Sequence, residues 1–223
     1  MVLRLATCLG AGMRATNTLL LDAGFAPAYP ETPLTAPPLS RVAAAIERLL
    51  ASHDPNPAVM IDGTWTVRSG NRAAARLLAA LAPTYLDEPV NLMRLVFDPH
   101  ALRPLVANFE ALAPCLLARL AAEADAGSPA EALLGELRAL PGVQQLEPTV
   151  GTGHDPLLTL RLRLPMGECA FFSTITTLGT PFDITLRDIR IETFFPADAA
   201  TAAVIDGLPQ GRSWPPIIAR AGT

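Results

Sequence analysis

The chain has 223 residues, half of them hydrophobic and 17% charged, with a net charge of −4. That is enough for one sizeable core, and the acidic balance argues against a domain that holds nucleic acid by its field alone. No apolar run approaches the roughly 18 residues of a membrane span, and the N-terminus lacks the basic-then-apolar order of a signal peptide, so a cytoplasmic chain without a membrane partner is expected.

All 17 basic residues are arginine, which together with abundant alanine points to a GC-rich coding sequence rather than to phosphate recognition. Cys8, Cys115 and Cys169 are widely spaced and form no CxxC pair. They are expected as small buried hydrophobes in a reducing compartment.

Val2–Leu9 and Met13–Ala23 have helical patterns separated by Gly10-Ala11-Gly12, and Gly24 stops the second. Phe25–Leu39 is proline-rich and predicts an extended linker. Ser40 can cap the next helix, whose apolar stripe is Val42, Ile46, Leu49 and Leu50. Pro57–Leu81 then predicts a hairpin feeding a helix. Ala58–Ile61 is one strand, Asp62-Gly63 the turn and Thr64–Arg68 the second strand. Ser69-Gly70-Asn71 breaks it, and Ala74, Leu77, Leu78 and Leu81 follow at helical spacing.

Asp98-Pro99 predicts a helix start, with Leu102, Leu105, Val106 and Phe109 at i, i+3, i+4 and i+7. A longer helix over Glu110–Ala124 carries Leu112, Leu116 and Leu120, and Ser128-Pro129 opens another with Leu133, Leu134 and Leu137. After Val143 the period changes to two. Leu158, Leu160, Leu162 and Leu164 alternate with Thr159, Arg161 and Arg163; Cys169–Leu178 is rich in Phe and Thr; Ile189, Ile191, Thr193 and Phe195 alternate with Arg190 and Glu192. The fold class is α+β: an antiparallel sheet with helices packed on one face, preceded by a short helical segment.

Four stretches, Asn17–Thr32, Pro57–Leu78, Asn91–Phe109 and Phe171–Asp198, resemble the ligand-binding region of MmyB-like transcription regulators. The resemblance spans roughly residues 1–200. It implies a PAS-like sensor fold enclosing a small ligand, reported for the family as a fatty acid, and membership of a DNA-binding regulator. In the family an Xre-type helix-turn-helix precedes the segment similar to Val2–Ala23. Residues 1–30 are therefore expected as the remnant of its end, 31–40 as linker, 41–200 as the PAS-like domain and 201–223 as a flexible tail. The chain as written holds no major-groove reader, so DNA contact is expected only through a missing or upstream helix-turn-helix, with a mis-set start or truncated copy as the favoured reason and a sensor half acting without its reader as the alternative. A homodimer is left open. Phe109 stands where the family leads one to expect tryptophan.

A fatty-acid site needs an apolar tunnel and a polar group for the carboxylate. Arg94 is the candidate anchor because a guanidinium meets a carboxylate bidentately, with a solvent-facing arginine as the alternative. Arg161 is a second candidate, otherwise exposed sheet surface. Phe97, Leu102, Val106 and Phe109 share one predicted face and either line the tunnel or pack the core. Phe171 and Phe172 point to opposite faces; the pattern does not say which faces inward, and Phe172 is the candidate ligand contact. Asn71 is either a ligand contact or a helix cap.

Enzymatic chemistry has little support. His53, His100 and His154 are scattered, Gly151-Thr152-Gly153-His154 lacks a following lysine, and no GxSxG elbow is present. No cofactor or metal is expected. A ligand-independent interaction or dimerisation module is the alternative to a sensor.

Overall fold

The hairpin at residues 58–70 sets the geometry of the rest. A computed structural model describes residues 1–82, 89–124, 128–146, 157–164, 167–209, 214 and 217. β1 (Ala58–Ile61) is buried at every position and pairs antiparallel with β2 (Val67–Gly70). The second strand begins three residues later than Thr64–Arg68 predicts, and Asp62 is the reason. Its carboxylate accepts from the Thr64 amide at 2.9 Å, the Thr64 hydroxyl at 2.7 Å and the Thr66 amide at 3.1 Å. Those bonds widen the turn, and within it Trp65 takes a left-handed backbone with φ 63°. A bulky residue there is strained, and the buried indole shows what the turn delivers.

α4 (Arg72–Leu81) follows at once. Asn71 caps it, accepting from the Ala74 amide at 2.9 Å and from the Ala58 amide at 3.0 Å. α5 (Leu92–Phe97) is capped by Asn91, and α6 (Phe109–Glu123) and α7 (Pro129–Arg138) come next, the last capped by Ser128 as predicted. The helix predicted from Asp98 to Phe109 is not continuous. A short 3₁₀ turn covers Arg103–Leu105, after which Val106 bridges Leu162 and the Ala107 amide donates to the Arg161 carbonyl at 2.7 Å. Pairing with the sheet edge satisfies this backbone better than another turn around Pro104 could, since proline brings no N–H.

β3 (Thr159–Leu164), β4 (Gly167–Thr177) and β5 (Arg190–Pro196) complete one antiparallel sheet in the order β2-β1-β5-β4-β3. This is the α+β, PAS-like sheet that the resemblance implies, and β5 lies at its centre. The alternation of β3 is as predicted, Leu162 buried and Arg161 and Arg163 exposed.

Most helices cover one face, where Val59 and Ile61 join the large core with α4 to α7. The other face is not left to solvent. α3 (Ser40–Ser52) lays Ala43, Ile46 and Leu50 against Ala58, Met60 and Ile191. Near that face α8 (Ile184–Asp188) is capped by Asp183, which also accepts from the Thr32 amide at 3.1 Å and so fixes the linker.

α1 (Val2–Cys8) and α2 (Met13–Asp22) form the N-terminal segment. Arg14 of α2 ties it to the sheet domain through Glu31 and Asp188, both at 2.8 Å. Asn17 holds the linker by accepting from the Ala28 and Tyr29 amides and donating to the Tyr29 carbonyl. Cys169 is buried and Cys115 half-buried, whereas Cys8 is exposed on α1.

The tail predicted from residue 201 is in part regular structure. α9 (Ala199–Gly207) is capped by Asp198, buries Thr201 and Ile205, and has its C-terminal carbonyls taken by Arg76, which donates to Asp206, Leu208 and Pro209. Its short alanine-rich pattern hides a helix whose stability comes from tertiary contacts rather than propensity.

Replacing Asp62 by Ala removes the bonds that hold the turn. A loss of about 1–3 kcal/mol in urea unfolding is expected. Burial pushes the Asp62 carboxyl up, but the Thr64 hydroxyl and amide and Arg68 outweigh it and the net value lies below the ordinary 3.8. Its contribution is therefore complete above that value and lost as pH falls further, so the gap between wild type and variant narrows on acidification below pH 3.8.

Candidate ligand-binding site

Between the sheet and the helices lies a cavity of about 280 Å³. Its floor takes residues from every strand: Val59, Val67, Leu160, Leu162, Phe171, Ser173, Glu192 and Phe194. Ala74, Leu77 and Leu78 come from α4, Met93 and Val96 from α5, and Leu112, Leu116 and Arg119 from α6. Trp65 and Trp214 stand in the wall as well. Trp214 leans on Gly70, where an added methyl would stand 2.7 Å from its ring; a glycine is needed there for closeness.

The wall is apolar but for one corner. Glu192 is 5% exposed and one of its oxygens, Oε2, has no hydrogen-bond partner among the described residues. Its other oxygen lies 3.8 Å from Arg119 Nη1. Arg119 rests over the Trp65 ring at 4.4 Å and reaches Glu123 at 3.6 Å. Glu123 is better served, taking the Trp65 indole N–H at 2.9 Å and an ion pair from Arg190. Burial pushes the Glu192 carboxyl up from its ordinary 4.5 and nearby Glu123 adds to this, while Arg119, the Ser173 hydroxyl and Arg190 pull the other way.

Of the eight residues singled out from the sequence, Leu102 is in the cavity wall. Phe97 and Phe109 lie behind it, packed edge to face at 5.5 Å, and Arg103 covers Phe109 at 4.5 Å, where the family leads one to expect the larger indole. Val106 is buried against β3. Phe172 is on the other side of β4 from Phe171 and stacks on Phe195; the inward residue is Phe171. Asn71 spends its side chain on capping, its amide donating to the Asn56 carbonyl at 2.8 Å. Arg94 is on the surface, bidentate to Glu136 at 2.9 and 2.8 Å. That pair holds the Glu136 carboxyl below its usual range. Arg161 is exposed, 4.0 Å from Glu168. The two arginines picked as anchors thus stand outside the cavity, and the arginine within it is Arg119.

Arg119 and Glu123 follow Leu116 at i+3 and i+7, on the flank of the apolar stripe of α6. That spacing was the available signal for charge facing inward. Glu192 carried none, since its alternation with Ile191 and Thr193 gives the pattern of a solvent face.

Among the described residues no group of three or more His, Cys, Asp or Glu could hold a metal ion, and no helix is long and apolar enough to cross a membrane. The Gly151–His154 stretch lies outside the described residues.

The family model of the MmyB-like transcription regulator ligand binding domain matches residues 42–208. The chain belongs to this family. A search of curated proteins finds no match. The match begins in α3 and ends just beyond α9, so both the helix behind the sheet and the C-terminal helix belong to the MmyB-like domain, and its bounds enclose nearly all of the cavity wall.

Glu192→Gln separates charge from shape at the polar corner. A carboxyl whose folded value is raised costs stability as pH rises from the unfolded 4.5 through the folded value. The variant is expected to melt with wild type near pH 4.5 and above it at neutral pH, as measured by calorimetry across that range.

Proposed function

We propose that this chain is the ligand-sensing part of a transcription regulator, and that its cavity takes a fatty acid or a similar apolar small molecule. The observation that supports this reading most is the apolar cavity between sheet and helices with one polar corner. A space of about 280 Å³ is near the lower end of ligand pockets, which run from roughly 300 Å³ upward. It holds roughly ten groups of about 30 Å³ each, favouring a medium-length chain. An interaction module working without ligand would be expected to fill such a space with its own side chains. About 280 Å³ of unfilled volume weighs against that alternative.

Sensing follows as a shift of populations: a ligand changes the output only by binding one arrangement better than another. The polar corner is a natural place for the difference to arise. Glu192 and Arg190 are both on β5, and Asp188, just before that strand, holds Arg14 of α2. A displacement at the corner is in this way transmitted to the N-terminal helices, and through them to a helix-turn-helix or to a second copy of the chain. DNA contact belongs to that helix-turn-helix rather than to the cavity, and no cofactor is needed for any step.

Decanoic acid tests the reading. At about a hundred times its dissociation constant, a ligand of the native state is expected to raise the melting temperature by roughly 5–10 °C. Mass spectrometry of a solvent extract of the purified protein reports any lipid carried from the cell. Leu102→Trp, which fills the cavity at a cost of about 1–3 kcal/mol, is expected to abolish the shift while the protein remains folded. No retained lipid, together with no shift from any medium- or long-chain acid, would falsify the proposal.

A further inference from the structure

The polar corner contains two under-satisfied groups that face the same space. Glu192 Oε2 is buried without a partner among the described residues. Arg119 has five N–H donors, yet its carboxylate contacts are 3.6 and 3.8 Å, well beyond the roughly 2.7–2.9 Å of a charge-assisted bond. The guanidinium is held over Trp65 and aimed at the cavity rather than clamped to an acid.

The charges also balance without a ligand. Arg119 of α6 and Arg190 of β5 stand against Glu123 of α6 and Glu192 of β5, with the Ser173 hydroxyl of β4 beside them. A ligand carboxylate would add a third negative charge to two positive ones in a site mostly removed from water. Two carboxylates at such distance do not both stay ionised; one proton shared between them removes the repulsion and supplies the donor that neither has alone.

We propose that the ligand's polar head seats between Arg119 and Glu192, and that a carboxylate head binds there together with one proton from solvent, held between it and Glu192. The inference rests on the apolar-ligand reading of the cavity and adds the position of the head and a pH dependence. Arg119 donates to the ligand carboxylate, and the proton lies between that carboxylate and Glu192 Oε2. A hydroxyl head needs no proton, because it donates to Glu192 and accepts from Arg119 itself.

Calorimetric titration with decanoic acid and with 1-decanol, in two buffers of different ionisation enthalpy between pH 6 and 9, tests this. Decanoic acid is ionised throughout that range. Its binding is expected to take up close to one proton once Glu192 is ionised in the free protein, with affinity falling toward tenfold per pH unit. Decanol is expected to bind with no uptake. Glu192→Gln is expected to bind decanoate without uptake and without the pH slope, and Arg119→Met to lose decanoate at least tenfold more than decanol. Melting curves of both variants verify that they are folded. The pH at which the gap in melting temperature between wild type and Glu192→Gln stops widening marks where Glu192 ionises in the free protein, and the titrations extend above it. Decanoate binding that is flat with pH and free of proton uptake above that point, or uptake that persists in Glu192→Gln, overturns the inference and leaves the cavity reading standing. Failure of both probes to bind overturns both.

Discussion

Covering both faces of the central strand is the constraint on which the other features depend. β5 pairs with β1 on one side and β4 on the other, so its backbone is satisfied and its two faces must each find a partner. α3 takes one, against Ile191, and the cavity side takes Glu192 and Phe194. A strand of mixed pattern buried on both faces puts a carboxylate where no water reaches it freely. The rest of the corner answers that placement: Arg119 across from it, resting over the Trp65 ring, with Glu123 nearby and itself taken by Arg190 and the Trp65 indole. Such a network is a poor source of stability, since desolvation offsets most of the attraction. It is a good source of differential response, because any new group that enters must be matched in charge and in hydrogen bonds.

Much of the fold was legible because local chemistry and tertiary placement agree. Asn91 and Ser128 stand before their helices and cap them. Leu160, Leu162 and Leu164 alternate with Thr159, Arg161 and Arg163 because β3 has one face to the core and one to water, whereas Leu158, just before the strand, is exposed. The hairpin of residues 58–70 was recognisable, but not its register, which depends on the carboxylate of Asp62 choosing the backbone amides around it. Propensity favours Thr64–Arg68 as strand, whereas three hydrogen bonds to one side chain decide otherwise.

The site was less legible, for a physical reason. Arginine is the natural partner of a carboxylate, and Arg94 and Arg161 each meet one, Glu136 and Glu168 on the protein's own surface. Residue type indicates what a side chain can bind, not which side of the helix it is on. The aromatic pair Phe97–Phe109 has the same lesson: the spacing puts them together, and they support the wall from behind instead of forming it. The side chains that do form the polar corner come from β5 and α6, about seventy residues apart, and meet only when β5 pairs into the middle of the sheet.

Trp65 and Trp214 are the only two tryptophans of the chain, and both stand in the cavity wall, one of them hydrogen-bonded to Glu123 and covered by Arg119. All of the indole emission therefore originates at the site, with no background from a distant core. The protein is its own optical probe: occupancy of the cavity and rearrangement of the charged corner alter the surroundings of the Trp65 ring, and they can be followed in the unlabelled chain at whatever speed light can be collected.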